Sequence, residues 1–140
     1  MLSIIYASSA VRLLDRKELV DLLEYSREKN VKYDITGMLL YRGGNFIQVI
    51  EGEDEEVLQL YNNIKADPRH KDVTLLSKDP IAKRQFPDWR MGFRNIDQMS
   101  AKELEGFSSF LENDFSPAYF KDKPTRAYIL LLSFKDTMSD

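Results

Sequence analysis

Two β-rich apolar segments, Ile35–Tyr41 and Asn45–Glu51, are separated only by Arg42-Gly43-Gly44. A Gly-Gly pair supplies the positive φ that a tight turn needs, so the two segments are expected to pair as an antiparallel hairpin. Most positions on both alternations of both strands are apolar. A strand with one wet face alternates apolar and polar residues, whereas a strand apolar on both sides belongs to a sheet covered on each face. The rest of the chain must therefore supply two layers.

The flanking sequence supplies candidates for both. Leu2–Ser8 is a short apolar run bounded by small polar residues and reads as a first strand. Asp15 is placed as an N-cap with Glu18 as its capping-box partner, opening a helix with inward Leu19, Leu22, Leu23 and Ser26 that ends near Asn30. Glu53–Ala66 is a second amphipathic helix, with Val57, Leu60, Tyr61 and Ile64 on one side, broken by Asp67-Pro68-Arg69-His70. Val73–Ser77 and Trp89–Ile96 read as further strands, joined through Pro80 and Pro87. The order β-α-β-β-α-β-β predicts an α+β, ferredoxin-like five-stranded sheet with two helices on one face. The other face is expected to be covered by C-terminal helices. One is capped by Ser100 with Glu103 and runs to Leu111; the other is formed by the apolar stretch Ala127–Phe134, for which helix is preferred over strand.

The 140 residues suit one hydrophobic core, divided on this reading into a core of 1–97 and a C-terminal helical extension of 98–140 that packs on its sheet. The absence of cysteine excludes disulfides, thiolate catalysis and cysteine metal sites, and the single histidine, His70, argues against a histidine-based metal site. A net charge of −3 and a pI near 5.3 argue against a nucleic-acid partner. The N-terminus has no basic region before its apolar stretch, and the apolar run Ala127–Leu132 is far below membrane-spanning length. The expectation is a cytoplasmic protein with no membrane association. A hydrolase reading lacks a nucleophile–base pair.

Gln48 stands mid-strand among apolar neighbours, where an unpaired amide is costly, so a polar partner must face it. That partner is either a neighbouring strand or water, or the polar edge of a ligand. Tyr6, on the alternation of Leu2 and Ile4, is a buried phenol in need of an acceptor. Trp89 and Met91 are expected on one face of the fifth strand, Asn30 as a helix C-cap, and Arg69 and His70 beyond the second helix, where positive charge complements its dipole.

Taken together, Tyr6-Ala7-Ser8, Asn30 with Ile35-Thr36-Gly37-Met38-Leu39, Phe46 to Gly52, Asp67-Pro68-Arg69-His70 and Trp89-Arg90-Met91 occur in an order and spacing that resembles the BLUF family, blue-light sensors using FAD. The resemblance runs from about Leu2 to Ile96, and Ile35–Gly52 is its most specific part.

It implies FAD between the two helices, its ring edge toward the central strands. Tyr6 would be the photochemical electron and proton donor, Gln48 the bridge between Tyr6 and the flavin, and Asn30 the holder of the flavin carbonyl edge. Ser8, Ser26 and Phe46 would be ring-side contacts, with Asp67, Arg69 and His70 toward the ribityl and phosphate end. Lys29 departs from the asparagine or histidine often found there; it either reaches a phosphate or is a solvated surface lysine. Trp89 and Met91 match the family's signal-transmitting strand, which is thought to sit beside the first strand. The absence of cysteine also excludes the flavin photoreceptor mechanism that forms a covalent cysteine bond. The resemblance implies a sensor without turnover. With about 44 residues after the predicted sheet, its output is expected through an unidentified partner protein or through self-association. The competing reading is a ferredoxin-like ligand-binding regulatory domain without photochemistry.

Overall fold

A computed structural model describes residues 1–100, 102 and 115–135. The chain runs β1 (Leu2–Ala10), α1 (Arg16–Lys32), β2 (Thr36–Arg42), β3 (Asn45–Gly52), α2 (Asp54–Ala66), β4 (His70–Pro80), β5 (Gly92–Asn95), a 3-10 turn (Ile96–Gln98), α3 (Pro117–Asp122) and α4 (Pro124–Lys135). The five strands form one sheet in the order β4-β1-β3-β2-β5. The β2–β3 hairpin closes at Gly43 and Gly44, both with positive φ, the backbone that a two-residue turn of this hand requires. Asp15 caps α1 as expected: its carboxylate accepts from the Glu18 N–H at 2.8 Å, and Glu18 reaches back to the Asp15 N–H at 3.3 Å.

Both faces of the sheet are covered. Ile4, Tyr6, Leu39, Phe46 and Ile50 pack in one layer with Leu19, Leu22 and Leu23 of α1 and with Val57 and Tyr61 of α2. Ile5, Ala7, Met38, Leu40, Ile47 and Val49 pack in the other with Ala127, Leu130, Leu131 and Phe134 of α4. The two layers follow the two alternations of each strand. The helix expected at Ala127–Phe134 is therefore present and extends by three residues to Pro124. The expected helix Ser100–Leu111 lies largely outside the described residues. Among those described, no helix is long and apolar enough to cross a membrane.

Four expectations are corrected. The fifth strand starts at Gly92, so Trp89 and Met91 precede it. They do not share a face: Met91 belongs to the α1/α2 layer and Trp89 to the α4 layer. The backbone bends between them, because the Arg90 carbonyl accepts from the Asn30 side chain rather than from a neighbouring strand. β5 pairs in parallel with β2, while the neighbours of β1 are β3 and β4. Asn30 is not the C-cap; α1 continues to Lys32 and Tyr33 takes that position.

The segment before β5 is fastened by a buried carboxylate. Glu51 is fully buried in the α4 layer, and its Oε1 accepts from the Gln85 N–H at 2.8 Å and the Phe86 N–H at 2.7 Å. Arg84 donates to Thr36 Oγ1 at 3.0 Å and to the Glu51 carbonyl at 3.2 Å, while Lys135 at the end of α4 donates to the Gln85 carbonyl at 2.5 Å. The contact places Phe86 in the second core. Glu51→Leu keeps the bulk but removes the acceptor of two N–H groups. It is expected to lower the unfolding free energy by about 2–4 kcal/mol in urea denaturation. A change below about 0.5 kcal/mol would show that the carboxylate does not hold this segment.

Candidate functional site

The β1–β3 register sets Tyr6 directly opposite Gln48, so both side chains stand on the α1/α2 face. Tyr6 Oη donates to Gln48 Oε1. Gln48 Nε2 donates to Met91 Sδ at 3.2 Å. A thioether sulfur only accepts, so its position directs the amide nitrogen toward Met91 and the amide oxygen toward Tyr6. Burial, with smaller contributions from Tyr61 and Asp67, raises the Tyr6 phenol far above its ordinary value. Tyr6 is thus a neutral donor, and its ring lies 5.7 Å from that of Tyr61.

Tyr6 and Gln48 line a slot of about 120 Å³ between α1 and α2. Of the residues singled out in the sequence, Tyr6, Ser26, Lys29, Asn30, Phe46, Gln48, Asp67, Arg69 and His70 all line it. Asn30 is buried, and one of its two N–H donors is used by the Arg90 carbonyl. Ser26 Oγ donates to the Leu22 carbonyl at 2.9 Å. Ser8 does not line the slot; its hydroxyl lies 3.2 Å from His70 Nδ1 and so acts on the wall residue. That contact exists because β4 begins at His70, three residues earlier than expected, and pairs His70 with Ala10. Trp89 lies in the other core, away from the slot.

The rim carries charge. Lys29 is half-buried rather than solvated, with Nζ 4.7 Å from the centre of the Tyr25 ring. The Arg69 guanidinium lies 5.7 Å from the same ring and forms an ion pair with Asp67 at 2.7 Å. Tyr25 escaped the sequence reading: it stands one turn before Lys29, but α1 amphipathicity marks it only as an outward residue. Leu39, Asn63 and Ile64 complete the walls. A second cavity of about 330 Å³ shares Leu22, Tyr25, Phe46, Arg69 and His70 with the slot and continues to Arg12 and Glu18. The two lie side by side along these shared residues, and the second alone reaches the size of small-molecule sites, about 300–1,000 Å³.

Apolar walls, buried amides at one end and cations at the other fit a planar heterocycle that carries a phosphate. Among the described residues, no cluster of three or more His, Asp or Glu is placed to hold a metal.

Burial, opposed by Asp67 and reinforced by Arg69, pushes the His70 imidazole below its ordinary value of 6.5. The Arg69 hydrogen bond, reinforced by that residue's charge, holds the Asp67 carboxyl low. As pH falls below about 7, the unfolded chain protonates its histidine before the folded chain does, so stability is lost on acidification. Asp67 adds a loss in the same direction at lower pH, through the carboxylate range. Because His70 is the one histidine, the unfolding free energy is expected to fall between pH 7 and 5. His70→Asn should flatten that slope; an unchanged slope in the variant would assign it elsewhere.

Comparison with known proteins gives a concordant result. The family model described as sensors of blue-light using FAD matches residues 1–92. Photoactivated adenylate cyclase subunit beta of Euglena gracilis is 37% identical over 87 residues, which is 61% of this chain and 10% of that protein. The blue light- and temperature-regulated antirepressor BluF of Escherichia coli K12 is 34% identical over 70 residues, 50% of this chain and 17% of that protein. Among solved structures, BlrB, a BLUF protein in its dark state, superposes with a TM-score of 0.77 at 32% identity, covering 97% of this chain and 96% of BlrB. The alignment thus spans only about a tenth of the cyclase subunit.

Proposed function

This chain belongs to the BLUF family of blue-light sensors, which use FAD, and from that premise we propose that Tyr6, Gln48 and Met91 form its photochemical switch. The observation that carries the proposal is the directed hydrogen-bond chain from the Tyr6 phenol through the Gln48 amide to the Met91 sulfur. Bound FAD supplies blue-light absorption and transient electron acceptance. Tyr6 would be the group that supplies an electron and, because an oxidised phenol is strongly acidic, its phenolic proton, which would leave along the bond to Gln48 Oε1; both would return to Tyr6, leaving no net reaction. Gln48 can both donate and accept, so it can change partners by rotation or tautomerisation without moving the backbone. Burial of the whole chain of groups makes each arrangement distinct, since no water competes for its bonds.

Other residues hold the cofactor on this reading. Asn30 takes a ring carbonyl with its second amide N–H, Phe46 and Ser26 flank the ring, and Lys29 and Arg69 face the phosphate end. Asp67 orients Arg69 through their ion pair, and Ser8 orients His70. Met91 and Trp89 carry the change outward: Met91 contacts the Gln48 amide, while Trp89, two residues earlier, packs in the core formed with α4. Residues 1–97 would act as the flavin-binding core and 98–140 as the extension receiving the signal. The core is a sensor, not a catalyst. Relatives include a cyclase subunit and an antirepressor, and output from this chain through a partner protein or self-association agrees with that variety.

A light-minus-dark absorption spectrum tests the proposal. The flavin-loaded protein is expected to show a small reversible red shift. Tyr6→Phe and Gln48→Leu should each retain FAD and lose the ordinary shift. A normal shift in either variant would remove that residue from the switch.

A further inference from the structure

β4 is an edge strand of 11 residues whose neighbour in the sheet is β1. The far side of an edge strand offers backbone N–H and C=O groups to another strand. We propose that this edge is a self-association surface, on which a second copy of the chain pairs antiparallel with β4 about a two-fold axis through Leu75. Such pairing is independent of what the slot holds.

The order of charges along β4 carries the proposal. The strand reads His70-Lys71-Asp72-Val73-Thr74-Leu75-Leu76-Ser77-Lys78-Asp79-Pro80. Set two identical strands antiparallel with Leu75 facing Leu75. Lys71 then faces Asp79 of the second copy, and Asp72 faces its Lys78. Two-fold symmetry repeats both contacts, so every charge in the run meets its opposite. Lys71 and Asp79 register with Ser9 and Ser3 of β1, on one alternation, so both stand on the α4 face and can meet across the seam.

These side chains are available. Lys71, Asp72, Lys78 and Asp79 are exposed, and among the described residues none takes part in an ion pair. Leu75 is 45% exposed, whereas Val73 and Leu76 on either side of it pack against the two cores. Pairing on the axis covers that apolar side chain. Charges on an edge strand commonly oppose association. Here they favour one register. A shift of two residues, the smallest that keeps each side chain on its face, sets Lys71 opposite Ser77 or Ile81 and dissolves both charge pairs.

β4 shifts register against β1 between Ile5 and Tyr6 and again between Ala7 and Ser9, and Asp72 has a φ of 54°. Such bulges bend an edge and shorten the ladder it can offer. The seam is therefore short and the dimer weak, in the class of interfaces below about 1,200 Å². Leu75 also stands opposite Tyr6, which stands opposite Gln48. The axis thus falls on the row of the sheet that holds the hydrogen-bonded pair of the slot.

Two measurements on the full-length protein test this. Sedimentation from about 10 μM to 1 mM is expected to show a reversible monomer–dimer equilibrium. Lys71→Asp or Asp79→Lys each sets like charges face to face and should weaken the dimer about tenfold or more. The double exchange, Lys71→Asp with Asp79→Lys, restores opposite charges and should recover the affinity to within about threefold. The chain has no cysteine, so Leu75→Cys introduces one thiol, on the axis. Under mild oxidation it should form a disulfide dimer about tenfold or more faster than Lys78→Cys, whose thiols would stand about 20 Å apart in this register, beyond disulfide reach. A monomer at every concentration, a dimer indifferent to the single exchanges, or one not recovered by the double exchange would overturn the proposal. Equal oxidation rates for the two cysteine variants would overturn it as well.

Discussion

Everything at the site depends on the register between β1 and β3. Tyr6 meets Gln48 because these residues are paired across the two central strands, with Ile4 against Ile50 and Ser8 against Phe46 on either side. A slip of one residue would send Tyr6 to the α4 face and leave the Gln48 amide without its donor. Two features oppose the slip. The β2–β3 hairpin closes at a two-glycine turn of fixed length, and both alternations of β1 and β3 are apolar and already matched to a core.

Within this frame, the buried polar side chains Tyr6, Gln48 and Glu51 each have at least one hydrogen-bond partner, although Glu51 Oε2 has none among the described residues. Tyr6 donates to Gln48 and Gln48 to Met91 on one side of the sheet. On the other, Glu51 accepts from two backbone N–H groups. Gln48 and Glu51 lie on the same strand but on opposite faces, and each bonds part of the segment that precedes β5. That segment is thus held from both layers: Met91 is drawn toward the slot, and Phe86 and Trp89 toward α4.

Much of this was legible in the sequence where the determinant is local. The capping box at Asp15 and Glu18, the Gly43-Gly44 turn and the doubly apolar strands are all short-range patterns, and they yielded the order and layering of the elements. Gln48 also announced itself, because a glutamine in an apolar strand requires a partner. The disposition of Trp89 and Met91 was not legible. Alternation places them on one face, and only the long-range bond from Asn30 to the Arg90 carbonyl reveals the bend that separates them. The length of β4 was hidden for another reason. As an edge strand with wet positions such as Lys71, Asp72, Lys78 and Asp79, it lacks the apolar signature of the central strands. Flavin itself came from family likeness, since composition and periodicity name no ligand.

β5 has four residues and a single partner strand, against nine residues and two partners for β1. Rigidity is thus graded across the sheet. The strand that carries Tyr6 is clamped, while the strand that follows Met91 is joined by the fewest ladder bonds. A disturbance at Gln48 meets least mechanical resistance toward that edge. The pairing is densest at the strand that carries Tyr6 and thinnest at the margin that follows Met91.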